Sequence, residues 1–374
     1  MILAIILAVY FLQEFVVMPW QPRDVQISGF YKEDRDSLDV VFIGASDMYT
    51  AFSPALAYDK FGFTSYPFAP PRNSDGMWQL QVDEILRTQS PKLIVIEVNG
   101  ALYTEADELV TEENLRLFTD HMPASQHKNE LIETYVNKRD RINYYIPYLK
   151  YHGNITSLRD ALNTMYERLS FEGRGGLYMK GERTHFETQS FENEIWATED
   201  DNEELDMEPG HETALRGFLD YCQAKVDCPV LFIRAPHYVT EGEEVTLEFF
   251  HRANRVGSVV SNYGFDFINF DKLHSEIGLN YDEDFHNSEH LNINGQKKFT
   301  EYLGGLLVEK YGLADSAHSD GVRAKWERAV EYYNEFVRQG KALGEKDTQK
   351  SEYEFYEAES QELLNRLSAG LKGS

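Results

Sequence analysis

Four short apolar runs, mostly β-branched or aromatic, constrain this chain's fold more than any other feature: Val40 to Ile43, Leu93 to Val98, Val230 to Ile233 and Phe265 to Phe270. Most are nearly uninterrupted and bounded by turn formers. A strand with one face in water alternates apolar and polar residues, whereas a strand covered on both faces does not. Helical patterns lie between the runs, at Trp78 to Thr88, His211 to Lys225 and Val245 to Asn262. The alternation predicts an α/β fold with a doubly wound parallel sheet and right-handed crossovers.

The interval from about Tyr103 to Gly210 breaks the alternation and is far longer than a crossover needs, so it reads as a helix-prone insertion or cap. It concentrates Tyr144, Tyr145, Tyr148 and Tyr151, which fit either a carbohydrate groove or packing of cap on core. Beyond Gly312 the composition turns charged, and Val322 to Gln339 and Ser351 to Leu367 carry apolar residues at helical spacing. A main domain over 21–315, with its insertion at about 103–210, and a helical extension over 316–374 are expected.

At the N-terminus, Met1 to Leu12 is apolar and Phe15 to Trp20 continues it after Gln13 and Glu14. The run is shorter than the roughly 20 residues a spanning helix needs and has no basic flank or clear cleavage site. Residues 1–20 read as a partial membrane anchor, with Trp20 near the interface and the rest of the chain facing outward; a buried helix is the plainer alternative. With 63 acidic residues against 36 basic and a net charge of -27, nucleic acid is not an expected partner. Two cysteines, Cys222 and Cys228, are too few for a disulfide framework.

The run at Val40 ends in Gly44-Ala45-Ser46-Asp47, which sets a serine at the carboxyl end of a strand, where open α/β sheets place their ligands. A serine hydroxyl is a poor nucleophile without a base. Asn287-Ser288-Glu289-His290-Leu291-Asn292, before a helix starting near Asn294, supplies a histidine able to reach back across the sheet edge. Asp282, Asp284, His286 and His290 also form a rival, metal-binding set, but two imidazoles four residues apart share a face only on a helix, and Gly295 and the turn-rich sequence argue for a loop.

In these segments the chain resembles the SGNH hydrolase superfamily, in particular the membrane-anchored cell-surface branch that accompanies membrane-bound O-acyltransferases and is related to the D-alanylation protein of teichoic acid synthesis. The likeness rests on Val40 to Ser46 with Phe52-Ser53-Pro54, Gln89 to Glu97, Thr119 to Ser125, Tyr144 to His152, Asp284-Phe285 and His290 to Gly295, and runs from about Trp20 to Asp315. It implies a flavodoxin-like sheet, Ser46 as nucleophile, His290 as base, and the amides of Ser46 and Asp47 as oxyanion donors. It also implies a cell-surface glycan or teichoic-acid-like polymer as acceptor or substrate, a membrane-bound O-acyltransferase as a partner, and no cofactor.

Two departures qualify the likeness. The loop expected to give a glycine amide reads Ala69-Pro70-Pro71-Arg72-Asn73, and prolines have no N–H, so Asn73 and, in the next loop, Asn99 are the candidate oxyanion or substrate-binding groups. The aspartate expected three residues before the histidine is Asn287, itself an oxyanion or substrate-binding candidate, so Asp284 is the expected substitute acid, with Asp282 or Glu289 as others. His237, in Ala235-Pro236-His237 after a strand, points to the same edge as a substrate-binding candidate. The sequence thus leads to an extracytoplasmic O-acyl transferase or esterase, with a scaffold that has lost turnover and a lipid esterase as alternatives.

Overall fold

The computed structural model describes residues 24–104, 109–154, 176–189, 195–240, 244–314 and 316–344, with Met18, Met165, Tyr166 and Phe191 besides. The apolar segment 1–17, Trp20 and the second C-terminal helical pattern, 351–367, lie outside the described residues. Among those described, no helix is long and apolar enough to cross a membrane.

The apolar runs form the strands β1 (Val40–Ile43), β3 (Leu93–Glu97), β4 (Val230–Arg234) and β5 (Asp266–Asn269). A further strand, β2 (Ser65–Pro67), has no counterpart in the sequence reading. All pair in parallel in the order β2-β1-β3-β4-β5, with Phe42 beside Val95 and Ile96 beside Phe232. Three residues containing a proline suit only a short edge strand, which explains both the position of β2 and its silence in the sequence.

Residue alternation divides the core between the two faces of the sheet. Val41, Ile43, Ile94, Ile96, Val230 and Phe232 join one apolar cluster, while Val40, Phe42, Leu93, Val95, Leu231 and Ile233 join another. Helices α3 (Trp78–Thr88), α6 (Pro209–Lys225) and α7 (Glu244–Asn262) cover the first face through Trp78, Phe218 and Val256. Helices α1 (Ser46–Ala51), α2 (Pro54–Phe61) and α8 (Ile293–Tyr311) cover the second through Met48, Ala57 and Leu303. The chain moves one way along the sheet from β1 to β2 and the opposite way from β2 to β5, so crossovers of one hand fall on opposite faces. The direction reverses between β1 and β3, which leaves a crevice at their carboxyl ends.

Within the interval between β3 and β4 lie α4 (Glu112–Thr119) and α5 (Gln126–Tyr135), then short turns of helix. Of the tyrosine cluster, Tyr144 is buried under the Arg116 guanidinium, 3.8 Å from its ring centroid, and Tyr151 donates to Asp120 at 2.5 Å. Tyr145 and Tyr148 are exposed. A cleft of about 600 Å³ is lined by Thr111, Arg116, Tyr135, Asn137 and, from the cluster, Tyr144. Helix α9 (Asp320–Gly344) folds back onto α2, burying Trp326, Tyr333 and Phe336. Cys222 and Cys228 are free.

Candidate active site at the sheet edge

The geometry at the crevice begins with a glycine. A Cβ on Gly44 would lie 2.8 Å from Cβ of Glu97 and 3.0 Å from Cβ of Met48, so only glycine lets the end of β1 turn this close to β3. The turn delivers Ser46 and Asp47 as the first residues of α1, with acidic Asp47 in its first turn, where the helix dipole favours a negative charge. Ser46 is half-buried, its hydroxyl makes no hydrogen bond among the described residues, and no hydrogen bond joins it to His290. The following Ser53 caps α2, accepting from the Leu56 amide, and Pro54 opens that helix, so Phe52-Ser53-Pro54 has a local structural use.

Asp47 is only 2% exposed and is the hub of a buried network. Its Oδ1 lies 2.7 Å from His237 Nε2, and its Oδ2 accepts from Asn99 Nδ2 at 2.7 Å. Asn99 Oδ1 in turn accepts from Arg234 at 2.7 Å, and Arg234 donates to Asp271 at 3.3 Å. Asp271 also accepts the His237 backbone amide at 2.7 Å. Glu97 accepts from the Asn99 amide at 3.0 Å and lies 3.9 Å from Arg234. Each charged member sits at the end of β1, β3, β4 or β5, or just past it, so the sheet itself assembles them.

His237 is a cation in this setting. Its Nδ1 lies 2.6 Å from the Ala235 carbonyl and its Nε2 2.7 Å from Asp47, so both ring nitrogens face acceptors and both must carry protons. Burial and the Arg234 charge oppose the imidazolium, but Asp271 and Asp47 prevail and its pKa is pushed up to about 9. Burial raises the Asp47 carboxyl less than His237, His290 and Arg234 lower it, and it stays ionised. For Glu97, burial and then repulsion from Asp47 push the pKa up to about 8, so it is protonated at neutral pH. Two cations, Arg234 and His237, thus face two carboxylates, Asp47 and Asp271, and the knot is electrically balanced, as burial requires.

His290 differs from His237. It lies at the base of a tight turn in which Asn287 Oδ1 accepts the Glu289 and His290 amides at 3.0 and 2.8 Å. The turn docks on the main domain through the Tyr238 amide and the Ser288 carbonyl, 2.9 Å apart. Nε2 of His290 is buried and, among the described residues, has no hydrogen-bond partner. Burial depresses the pKa of the ring more than the Asp47 and Glu289 carboxylates raise it, which keeps it neutral at pH 7. An imidazole that is neutral and unbonded is free to take a proton; the bonded cation His237 is not.

Of the other sequence candidates, Asn99 belongs to this centre, while Asp284, Asn73 and Asn287 make their hydrogen bonds elsewhere. Asp284 is buried but engaged by Lys298 Nζ and the Asn280 amide, both at 2.6 Å, and no hydrogen bond or ion pair joins it to His290; the expected Asp284–His290 pair does not form. Asn73 Nδ2 donates to Gln81 at 2.8 Å, and Asn99 Nδ2 to Asp47 at 2.7 Å, which commits one of the two N–H groups of each buried amide to the protein. Asn287 shapes its turn. Arg234, Asp271 and Glu97 escaped the sequence reading, although Arg234 and Glu97 ending buried apolar strands was the available signal. No family model matches the chain, and no curated protein matches it significantly.

Proposed function

We propose that the chain is an extracytoplasmic SGNH-type enzyme that transfers or hydrolyses O-acyl groups, acetyl being the simplest, on a cell-envelope glycan through an acyl-serine. What carries this reading is the neutral, unbonded His290 imidazole electrostatically coupled to Asp47, the residue that adjoins Ser46 at the sheet's switch point. Strand order 2-1-3-4-5 supports the flavodoxin-like class.

In this mechanism His290 takes the Ser46 hydroxyl proton as Oγ attacks the acyl carbonyl carbon. The tetrahedral oxyanion is held by the Ser46 and Asp47 amides at the start of α1, and it collapses when the leaving alcohol receives the proton from His290. A sugar hydroxyl or water then attacks the acyl-serine by the reverse proton movement. Asp47, held ionised by His237, stabilises the imidazolium through space in place of the missing triad acid. Residues 1–20 anchor the domain on the outer face of the membrane, and a membrane-bound O-acyltransferase supplies or receives the acyl group.

Hydrolysis of p-nitrophenyl acetate and of an acetylated glycan by the chain tests the proposal. Ser46→Ala is expected to abolish turnover and His290→Ala to reduce it by about 10²–10⁴-fold. Activity indifferent to Ser46→Ala removes the serine from the mechanism. No carboxylate among the described residues bonds to His290, which favours a second reading, a scaffold for the acyltransferase, and no turnover on any ester would select it.

A further inference from the structure

A segment of the insertion crosses the His290 loop and is fixed there along its length. The Arg183 amide donates to the Tyr49 carbonyl at 2.8 Å, the Ile293 amide to the His185 carbonyl at 2.7 Å, and the Gln189 amide to the Phe285 carbonyl at 3.1 Å. Asn292 Nδ2 donates to Thr188 at 2.8 Å. These contacts bring the His185 ring onto that of His286, with centroids 3.8 Å apart and planes within 4°, and within 6.0 Å of the His290 ring. Glu187, on the same segment, sets a carboxylate oxygen 3.5 Å from His286 Nδ1.

One donor atom each from His185, Glu187 and His286 lies within 4.8 Å of the other two. Nδ1 of His286 is shut off from water and, among the described residues, has no hydrogen bond, only the Glu187 carboxylate 3.5 Å away, an arrangement that a shared cation between the two would satisfy. We propose that His185, Glu187 and His286 bind a divalent transition-metal ion of the zinc type. Two imidazoles and a carboxylate suit zinc; calcium and magnesium prefer all-oxygen sets. Three protein ligands leave a fourth position open.

Bonds of about 2.0–2.2 Å to a tetrahedral ion need donors about 3.3–3.5 Å apart, so the three must draw together. Parallel rings cannot both aim in-plane at one ion, and turning either imidazole about its soft χ2 torsion removes the obstacle. Arg183, near both rings, works against a cation and sets the affinity below that of a closed four-ligand site. The carboxylate comes from Glu187, remote in sequence from the two histidines of the His290 loop, and not from Asp284, which Lys298 holds, or from exposed Asp282.

Titration of the full chain with Zn²⁺ alone, followed by calorimetry and by the rise in melting temperature, tests the site. One saturable ion per chain is expected. His185→Ala and His286→Ala should each weaken binding by at least about tenfold, because even outer-shell changes around metals cost that much. Glu187→Gln should weaken it too, and since the Glu187 side chain is 42% exposed that variant is expected to fold; His152→Ala, at an exposed position, should leave binding unchanged. Co²⁺ in place of Zn²⁺ should give the visible bands of nitrogen–oxygen coordination in the parent chain and lose them in Glu187→Gln. Ser46→Ala should bind like the parent, which separates this site from the acyl chemistry. No saturable Zn²⁺ binding, or binding that survives all three ligand changes, overturns the proposal.

Discussion

Protonation of both nitrogens of His237 gives the sheet edge a pH dependence with a definite sign. Its folded pKa of about 9 stands above the ordinary histidine value of about 6.5, so the stability it lends is complete below about pH 6.5 and lost as the pH rises through 9. Glu97, at about 8 in the fold, acts in the same direction, its contribution fading from about 4.5 upward. The melting temperature is therefore expected to fall between pH 6.5 and 9, and His237→Gln should flatten the part of that slope above pH 6.5. A slope unchanged by His237→Gln would show that the ring is neutral in the fold. The pairing was not legible in the sequence, although Asp47, Asn99 and His237 each stood out as candidates at this edge, because the partners are remote: Asp47 and His237 are 190 positions apart and Arg234 and Asn99 are 135. The placements of Ser46 and His290 could be read, since the one follows a strand end and the other precedes a helix start. Asp284 misled because nearness along the chain stood in for nearness in space, and Lys298 one turn into α8 held it instead.

At the scale of elements, buried strands announce themselves and edge elements do not. The β1 run matched its strand end to end, as did the α3 pattern, because a strand covered on both faces and a helix with one apolar stripe each leave a periodic trace. β2 left none, and β5, partly exposed along its length, was read two residues too long. The β1–α1 turn is the element on which the site depends, and Gly44 is its tightest point. Gly44→Ala should destabilise the protein by about 1–3 kcal/mol, the usual cost of overpacking, because the added methyl meets the Glu97 and Met48 side chains. Denaturant unfolding measures this, and an unchanged midpoint would mean that the turn can yield.

Across the whole molecule, the sheet gathers charge at one edge while apolar surface is closed off on both faces. α9 belongs to that closure: Trp326 is 1% exposed, packs on Tyr58 of α2 and lies beneath the Lys180 ammonium, 4.6 Å from its ring centroid. Trp326→Ala should cost about 3–5 kcal/mol, as for other buried tryptophans, and loosen the helix from the body. Chemical denaturation with a near-ultraviolet probe would register it, and a loss below about 1 kcal/mol would show α9 to be a peripheral attachment. Sequence periodicity marked this helix as amphipathic and favoured packing on the main domain over a partner; α2 is the element it meets.

The central claim is that the Ser46 hydroxyl is activated by His290 across the carboxyl edge of the sheet. Intact-protein mass spectrometry after exposure to a fluorophosphonate measures that directly, since the reagent forms a stable adduct only with an activated serine. The account predicts a single adduct that maps to Ser46, is absent from Ser46→Ala and is strongly reduced in His290→Ala. No adduct, or one that persists in Ser46→Ala, would contradict it.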